Sequence, residues 1–191
     1  MLGIFDVLTG RTKPIKANLD RLFAIPGVAV TLELSANLKS ANRAGVCYKP
    51  ASGSAFQNTR AEFMDVLKTM VADPDRSIYV SKDEYGYEWV VIQDDELESL
   101  TTKVHLINKT LEDHGFSPAL LLSAFRFQQT SEDQVVYWIY LYKKGTFYPF
   151  VPLSGQRRDN ERELALKAIV GTDIPVEPDL ESWLPPWGLP V

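Results

Sequence analysis

The sequence predicts an α+β fold, a mainly antiparallel sheet built from hairpins with interspersed helices packed on one face. Three observations predict it. Short apolar segments of strand character come in pairs joined by tight polar turns, at Asp83-Glu84-Tyr85-Gly86 and Lys143-Lys144-Gly145. Strands joined that closely pair antiparallel. Longer segments with apolar residues three and four apart separate those pairs, so helices alternate with hairpins. The composition, 45% hydrophobic and 24% charged over 191 residues, is that of a globular chain. A chain of this length buries roughly 70% of its unfolded surface. The order reads helix, two strands, helix, two strands, helix, three strands, helix, which suits hairpins with helices on one face.

The elements follow in chain order. Pro14 suits a first helical turn, and Ile15, Leu19, Leu22 and Phe23 follow at helical spacing until Pro26-Gly27. Val28, Val30, Leu32 and Leu34 alternate with Ala29, Thr31 and Glu33, which predicts a half-buried strand over 28–34. Residues 35–44 are polar and read as a loop, followed by a short strand at Val46-Cys47-Tyr48 that Pro50 and Ser52-Gly53-Ser54 stop. Thr59 and Glu62 have capping-box spacing, ahead of a helix face made by Phe63, Val66, Leu67, Met70 and Val71. Asp73-Pro74-Asp75 ends that helix. Strands at 78–80 and 87–92 form a hairpin around the turn at 83–86.

The strongest helix spans about 96–114. Asp95 and Glu98 can cap its start, and Leu97, Leu100, Val104, Ile107 and Leu111 recur at intervals of three and four. About two heptads of that spacing fit packing on a sheet better than a sustained coiled coil. Gly115 sits where a left-handed cap belongs. Strands follow at 119–128, 135–142 and 147–151, then a helix from about Asp159 to before Gly171 with Leu164, Ala168 and Ile169 inward.

Residues 1–171 read as one α+β domain, with a weak echo of two similar halves at about 14–92 and 87–171. Residues 172–191 hold five prolines and two tryptophans and read as an extended strap. Trp183, Leu184 and Trp187 are costly to leave in water, so the strap is expected to lie across the body.

Charge and cysteine usage narrow the function. Twenty basic and 25 acidic residues give a net charge of −5, which argues against nucleic acid as a partner. The lone cysteine, Cys47, forms no internal disulfide. No segment has the eighteen or so apolar residues of a spanning helix, and the first eight lack the basic flank of a signal peptide. Cytoplasmic residence is the expectation. Leu2, Ile4, Phe5, Val7 and Leu8 leave open a shallow membrane contact, although docking on the protein body fits the short run better.

No catalytic, cofactor or metal constellation is legible. His105 and His114 with Cys47 make no recognisable zinc set. Cys47 lies between Val46 and Tyr48 as a small buried residue would. No phosphate loop, dinucleotide fingerprint or nucleophile elbow is present. The densest carboxylates, at 83–84 and 94–96, read as a hairpin tip and a helix start. An enzyme would need dispersed carboxylates joined by Arg157 or Arg158.

The candidate partner surface is the aromatic, basic hairpin at 140–150 with the arginines after it. Tyr142, Lys143, Lys144, Phe147, Tyr148, Arg157 and Arg158 are its residues. Strand side chains alternate between faces, so some of these aromatics must point away from the main core. Aromatics with arginine are enriched at interfaces.

Several of these stretches carry a resemblance. Leu2-Gly3-Ile4-Phe5-Asp6-Val7-Leu8-Thr9-Gly10-Arg11-Thr12-Lys13-Pro14 is one. Tyr142-Lys143-Lys144-Gly145-Thr146-Phe147-Tyr148-Pro149-Phe150 and Arg157-Arg158-Asp159-Asn160 are others. With Pro175-Val176-Glu177-Pro178-Asp179-Leu180 and Trp187-Gly188, the chain resembles the PspAB family, proteins associated with phage shock protein A. The resemblance spans nearly the whole chain. It implies an accessory, non-enzymatic interaction role in an envelope-stress response, beside a PspA-like coiled-coil protein or a membrane metalloprotease. It supplies no catalytic residues. Residues 87–170 are also similar in pattern to type III secretion chaperone and YbjN-type modules, which bind protein segments.

Overall fold

A computed structural model describes residues 17–129 and 134–191. The helix start at Pro14 and Ile15 and the apolar run at Leu2, Ile4, Phe5, Val7 and Leu8 lie outside the described residues. Six antiparallel strands form the main sheet, in the order β2-β3-β1-β4-β5-β6. They are β1 (Leu38–Tyr48), β2 (Ile78–Lys82), β3 (Glu88–Gln93), β4 (Leu120–Gln129), β5 (Val135–Leu141) and β6 (Thr146–Phe150). A second, two-stranded ribbon pairs β7 (Pro152–Leu153) with β8 (Arg157–Arg158). The helices are α1 (Ala24–Ala36), α2 (Ser54–Thr69), the single turn α3 (Pro74–Ser77), α4 (Leu97–Asp113) and α5 (Asn160–Val170). The fold is α+β, as the sequence predicts, and β1 of the first stretch pairs directly with β4 of the second.

Residues 28–34 are helical, not a strand. Two apolar rows overlap there, and the helical row wins. Ile25, Val28, Leu32 and Ala36 fall three and four apart and are buried together. Pro26 did not stop the helix because it lies in the first turn, where its missing N–H costs no hydrogen bond. A 3-10 turn, Leu19–Phe23, leads directly into α1. Asn37 ends it in the left-handed region, at φ 55°. The expected loop at 35–44 is instead mostly the first half of β1. Its polar side chains are half exposed, but its backbone pairs with β4, and pairing does not require apolar side chains. The pairing slips between Ser40 and Ala44, where Asn42 adopts φ 59°.

Two further corrections concern helix faces. α2 starts at Ser54, so Thr59 is no cap; its hydroxyl donates to the carbonyl of Ala55 at 3.0 Å. Phe56, Thr59, Phe63 and Leu67 are its buried residues, while Val66 and Met70 are partly exposed, at 41% and 37%. In α5 the inward residues are Glu163, Leu166 and Val170. Leu164 and Ala168 face outward and Ile169 is partly buried. Its start is as expected: the Asp159 carboxylate accepts the Arg162 amide at 2.9 Å. At α4 neither Asp95 nor Glu98 caps the start; Asp94 accepts the amide of Glu96, the residue just ahead of the helix, at 3.0 Å. The apolar stripe of α4 faces the sheet, with Leu100, Val104, Ile107 and Leu111 fully buried.

Both faces of the sheet are covered. Val46, Trp138, Tyr140 and Phe147 join the core on the helix side. Cys47, Trp89, Val91, Tyr137, Ile139, Tyr148 and Phe150 make a second cluster, closed by Trp183 and Val191 from the C-terminal strap. Leu184 and Trp187 stay more open than expected, at 67% and 37% exposure. Trp187 still meets the Phe150 ring edge-on at 5.2 Å.

Val191 sits on Gly45. A Cβ at Gly45 would lie 2.8 Å from the Val191 side chain and 3.4 Å from Trp89. Gly45→Ala is expected to destabilise the fold by about 1–3 kcal/mol, the usual cost of overpacking, and to loosen the strap. Cys47 reports this, because it lies buried in the same cluster and its thiol is pushed up to about 12 by burial and the charge of Asp83. In the parent protein a thiol reagent at pH 8 should leave Cys47 unmodified. In Gly45→Ala it should label Cys47 under native conditions. Equal resistance in both would show that the contact is not limiting.

Candidate partner-docking surface

The predicted hairpin is β5–β6. Its aromatics alternate between faces, as the sequence requires, but neither face is open. Tyr142, Phe147 and Tyr148 are fully buried. The Tyr142 hydroxyl donates to Glu112 at 2.5 Å, and the Phe147 ring packs on Tyr140 at 5.0 Å. Tyr148 stacks on Trp183 at 5.9 Å and donates to the carbonyl of Leu184 at 2.6 Å. The expected aromatic interface is therefore occupied by the chain itself, and these three side chains are unavailable to a partner.

The strap does the closing. The Phe147 amide donates to the Pro175 carbonyl at 2.8 Å, and the Glu177 amide to the Phe147 carbonyl at 2.7 Å. Residues 175–177 thus occupy the free edge of β6, forming a parallel bridge between Phe147 and Val176. The Glu177 side chain is nearly buried and accepts from Thr146 at 2.6 Å and Lys144 at 3.2 Å. Burial raises the Glu177 carboxyl, but these donors and the Asp179 amide outweigh it and hold it below the ordinary range. Lys144 also reaches Asp179 at 3.6 Å and the Ser182 hydroxyl.

Arg158 is likewise structural. Its guanidinium pairs with Glu163 at 2.7 Å, donates to the Trp183 carbonyl and lies 5.5 Å from the Phe150 ring centre. Arg157 is exposed and donates to the Ser154 carbonyl at 3.2 Å. Lys143 is exposed beside a shallow open groove of about 300 Å³, lined also by Leu121, Leu141 and Leu184. Of the seven residues read from the sequence, Lys143 and Arg157 are the two still fully presented.

The titratable groups weighed for chemistry are engaged in folding. Asp94 accepts from Ser99 at 2.8 Å and pairs with Lys103, whose side chain is 1% exposed. Burial raises the Asp94 carboxyl, yet Lys103, the Glu96 amide and Ser99 bring it below its ordinary value. Lys103 also donates to the Ser99 hydroxyl at 2.7 Å. Asp83 accepts the amides of Tyr85 and Tyr87 at 3.0 and 2.9 Å. His105 meets the Phe23 ring at 5.2 Å, and His114 faces Glu62 at 3.2 Å. Among the described residues no cluster of three His, Cys, Asp or Glu side chains could hold a metal. No described helix is long and apolar enough to cross a membrane.

Exposed apolar side chains lie elsewhere, on the outer face of α1 and in the 3-10 turn that leads into it. Phe23 is 46% exposed, Val30 62% and Leu34 81%. With Gly27 they form a row at intervals of four, three and four, opposite the buried row of Ile25, Val28 and Leu32. A helix lying on a protein surface ordinarily turns charged and polar residues to water. α1 has one charged residue, Glu33, paired with Lys39 at 3.0 Å. Reading 28–34 as a strand hid this row, because Val30 and Leu34 then counted as core. The signal was present as a second 3–4 spacing beginning at Phe23.

A family model for PspA associated protein B matches residues 2–191. No curated protein and no solved structure matches the chain. The likeness of residues 87–170 to secretion chaperones is thus one of sequence pattern alone.

Proposed function

Because the chain belongs to the PspA associated protein B family, we propose that it is a non-enzymatic interaction module that serves a PspA-type envelope-stress response by binding a protein partner through the outer face of α1. The partner it fits is PspA; a membrane metalloprotease of the same system is the alternative bait. The observation that carries the reading is the exposure of Val30 and Leu34 on a helix with one charge, continued by the half-exposed Phe23 in the turn before it. Exposed apolar patches of this kind mark interaction sites. The hairpin that best matched a partner surface in sequence is filled by the strap, which leaves α1 as the larger unexplained apolar face.

The test is a titration of the purified full chain against purified PspA, with Val30→Glu/Leu34→Lys as the comparison. Glu four residues before Lys suits a helix, and exposed substitutions usually change stability by about 0.5 kcal/mol or less. The double variant should therefore fold as the parent does. It should bind at least tenfold more weakly, because a charge pressed against an apolar partner loses its hydration. Equal binding would remove α1 as the surface. No binding by the parent to either bait would remove the interaction reading itself.

A further inference from the structure

We infer that β2 is an interface strand, which pairs antiparallel with β2 of a second copy of this chain about a twofold axis at Val80. The inference does not depend on the role proposed for α1. The sheet has two edges, and the chain closes one of them by laying residues 175–177 along β6. β2 forms the other, and no described residue pairs with its outer side. An open strand edge is a template for another strand. β2 has no proline or glycine within it, and its pairing with β3 runs without a bulge.

The hairpin fixes which backbone groups face outward. The Asp83 amide donates to the Tyr87 carbonyl at 3.0 Å, so Asp83 turns its backbone toward β3. Backbone direction alternates along a paired strand. Tyr79 and Ser81 therefore also face β3, while Ile78, Val80 and Lys82 face outward. The Ile78 amide is already spent on the Pro74 carbonyl. The amides of Val80 and Lys82 are left, with the carbonyls of Ile78, Val80 and Lys82. This row matches itself. About a twofold at Val80, the two Val80 residues exchange amide and carbonyl, and each Lys82 amide reaches the Ile78 carbonyl of the copy. The spent Ile78 amide then faces only the Lys82 carbonyl, at the end of the strand.

The side chains agree with a copy as the occupant. Tyr79 lies opposite Val91 and is 57% exposed, because no strand flanks it on its outer side. In the pair it stands opposite Ser81 of the copy, whose small side chain leaves room for the ring. The two Tyr79 rings lie diagonally across, within reach of each other. Lys82, the one charge in β2, falls opposite Ile78 of the copy, with the two lysines at opposite ends. A register shifted toward Lys82 would bring like charges together. Length agrees as well. The turn of α3 ends at Ser77 and the hairpin turn follows Lys82, so a strand of 5 residues fits, the length of β2 itself. One short strand a side is a small interface, so the pair should dissociate on dilution.

The test is sedimentation of the full chain from about 1 μM to about 1 mM. The parent should pass from monomer to dimer across that range. Lys82→Pro removes an outward amide that β3 does not use, a position where edge strands accept proline. It should keep the parent's melting temperature and weaken dimerisation at least tenfold. Lys82→Ala, which keeps the amide, should dimerise as the parent does. Disulfide trapping reads the register. Tyr79 and Ser81 of the copy form a non-hydrogen-bonded pair with Cα atoms about 4.5 Å apart, a span a disulfide bridges. A mixture of Tyr79→Cys and Ser81→Cys chains should oxidise to a covalent dimer, and either variant alone should not. A parent that stays monomeric at about 1 mM would overturn the inference. So would a dimer that Lys82→Pro leaves intact, or trapping no stronger in the mixture than in each variant alone.

Discussion

Trp183→Ala is expected to cost about 3–5 kcal/mol of folding free energy, the usual range for truncating a buried tryptophan. Trp183 is 5% exposed and joins the strap to the second face of the sheet. Its ring stacks on Tyr148 at 5.9 Å, and the Lys167 ammonium lies 5.6 Å from the ring centre. Its indole N–H donates to the Glu177 carbonyl at 3.0 Å, within the turn that holds the strap to Lys144 and Thr146. Truncation leaves a cavity over Tyr148 and frees that carbonyl. Chemical denaturation would measure the loss, and thiol labelling of Cys47 should speed up in step. A loss below about 1 kcal/mol would mean that the strap contributes little to the fold.

Arg158→Ala should cost a comparable amount. Removing one member of a buried ion pair typically costs about 3–5 kcal/mol, because the other charge stays buried without compensation. Glu163 would keep the Val151 amide, at 2.9 Å, but lose the guanidinium. The variant also loses the bond to the Trp183 carbonyl, so the two substitutions should not add. The pH dependence has a definite sign. Burial raises the Glu163 carboxyl above its ordinary 4.5, and Arg158 pulls it back only in part. A carboxyl whose pKa is raised by folding stabilises fully below its unfolded value and loses that contribution as pH rises through the folded value. Without Arg158 the folded value rises further. The deficit of Arg158→Ala should therefore be smallest below pH 4.5 and grow toward neutrality, as denaturation at several pH values would show. A deficit that stays constant with pH would mean that Glu163 does not carry it.

These two residues show what the sequence could and could not reveal. The hairpins at 78–93 and 135–150, α4 and the helix start near Asp159 follow from local spacing and turn chemistry, and the structure has them. α1 was misread because Val28 and Leu32 belong to both a two-residue and a 3.6-residue repeat, and Pro26 looked like a stop. The strap's extended character was legible in its prolines. Its destination was not, since the pairing of 175–177 with the edge of β6 is a contact between distant parts of the chain. For that reason Phe147, Tyr148 and Arg158 looked like a partner surface when they hold the strap, while Tyr142 is buried in the helix-side core against Glu112. Lys143 and Arg157 remain presented, and Phe23, Val30 and Leu34 emerge only once α1 is known to be a helix.

The most direct measurement is amide hydrogen exchange on the full chain, alone and with saturating PspA. Added protection should concentrate in α1, at Ala24–Ala36, while β5, β6 and the strap exchange as they do in the free protein. Protection confined to the hairpin at 140–150 or to the strap, with α1 unchanged, would contradict it.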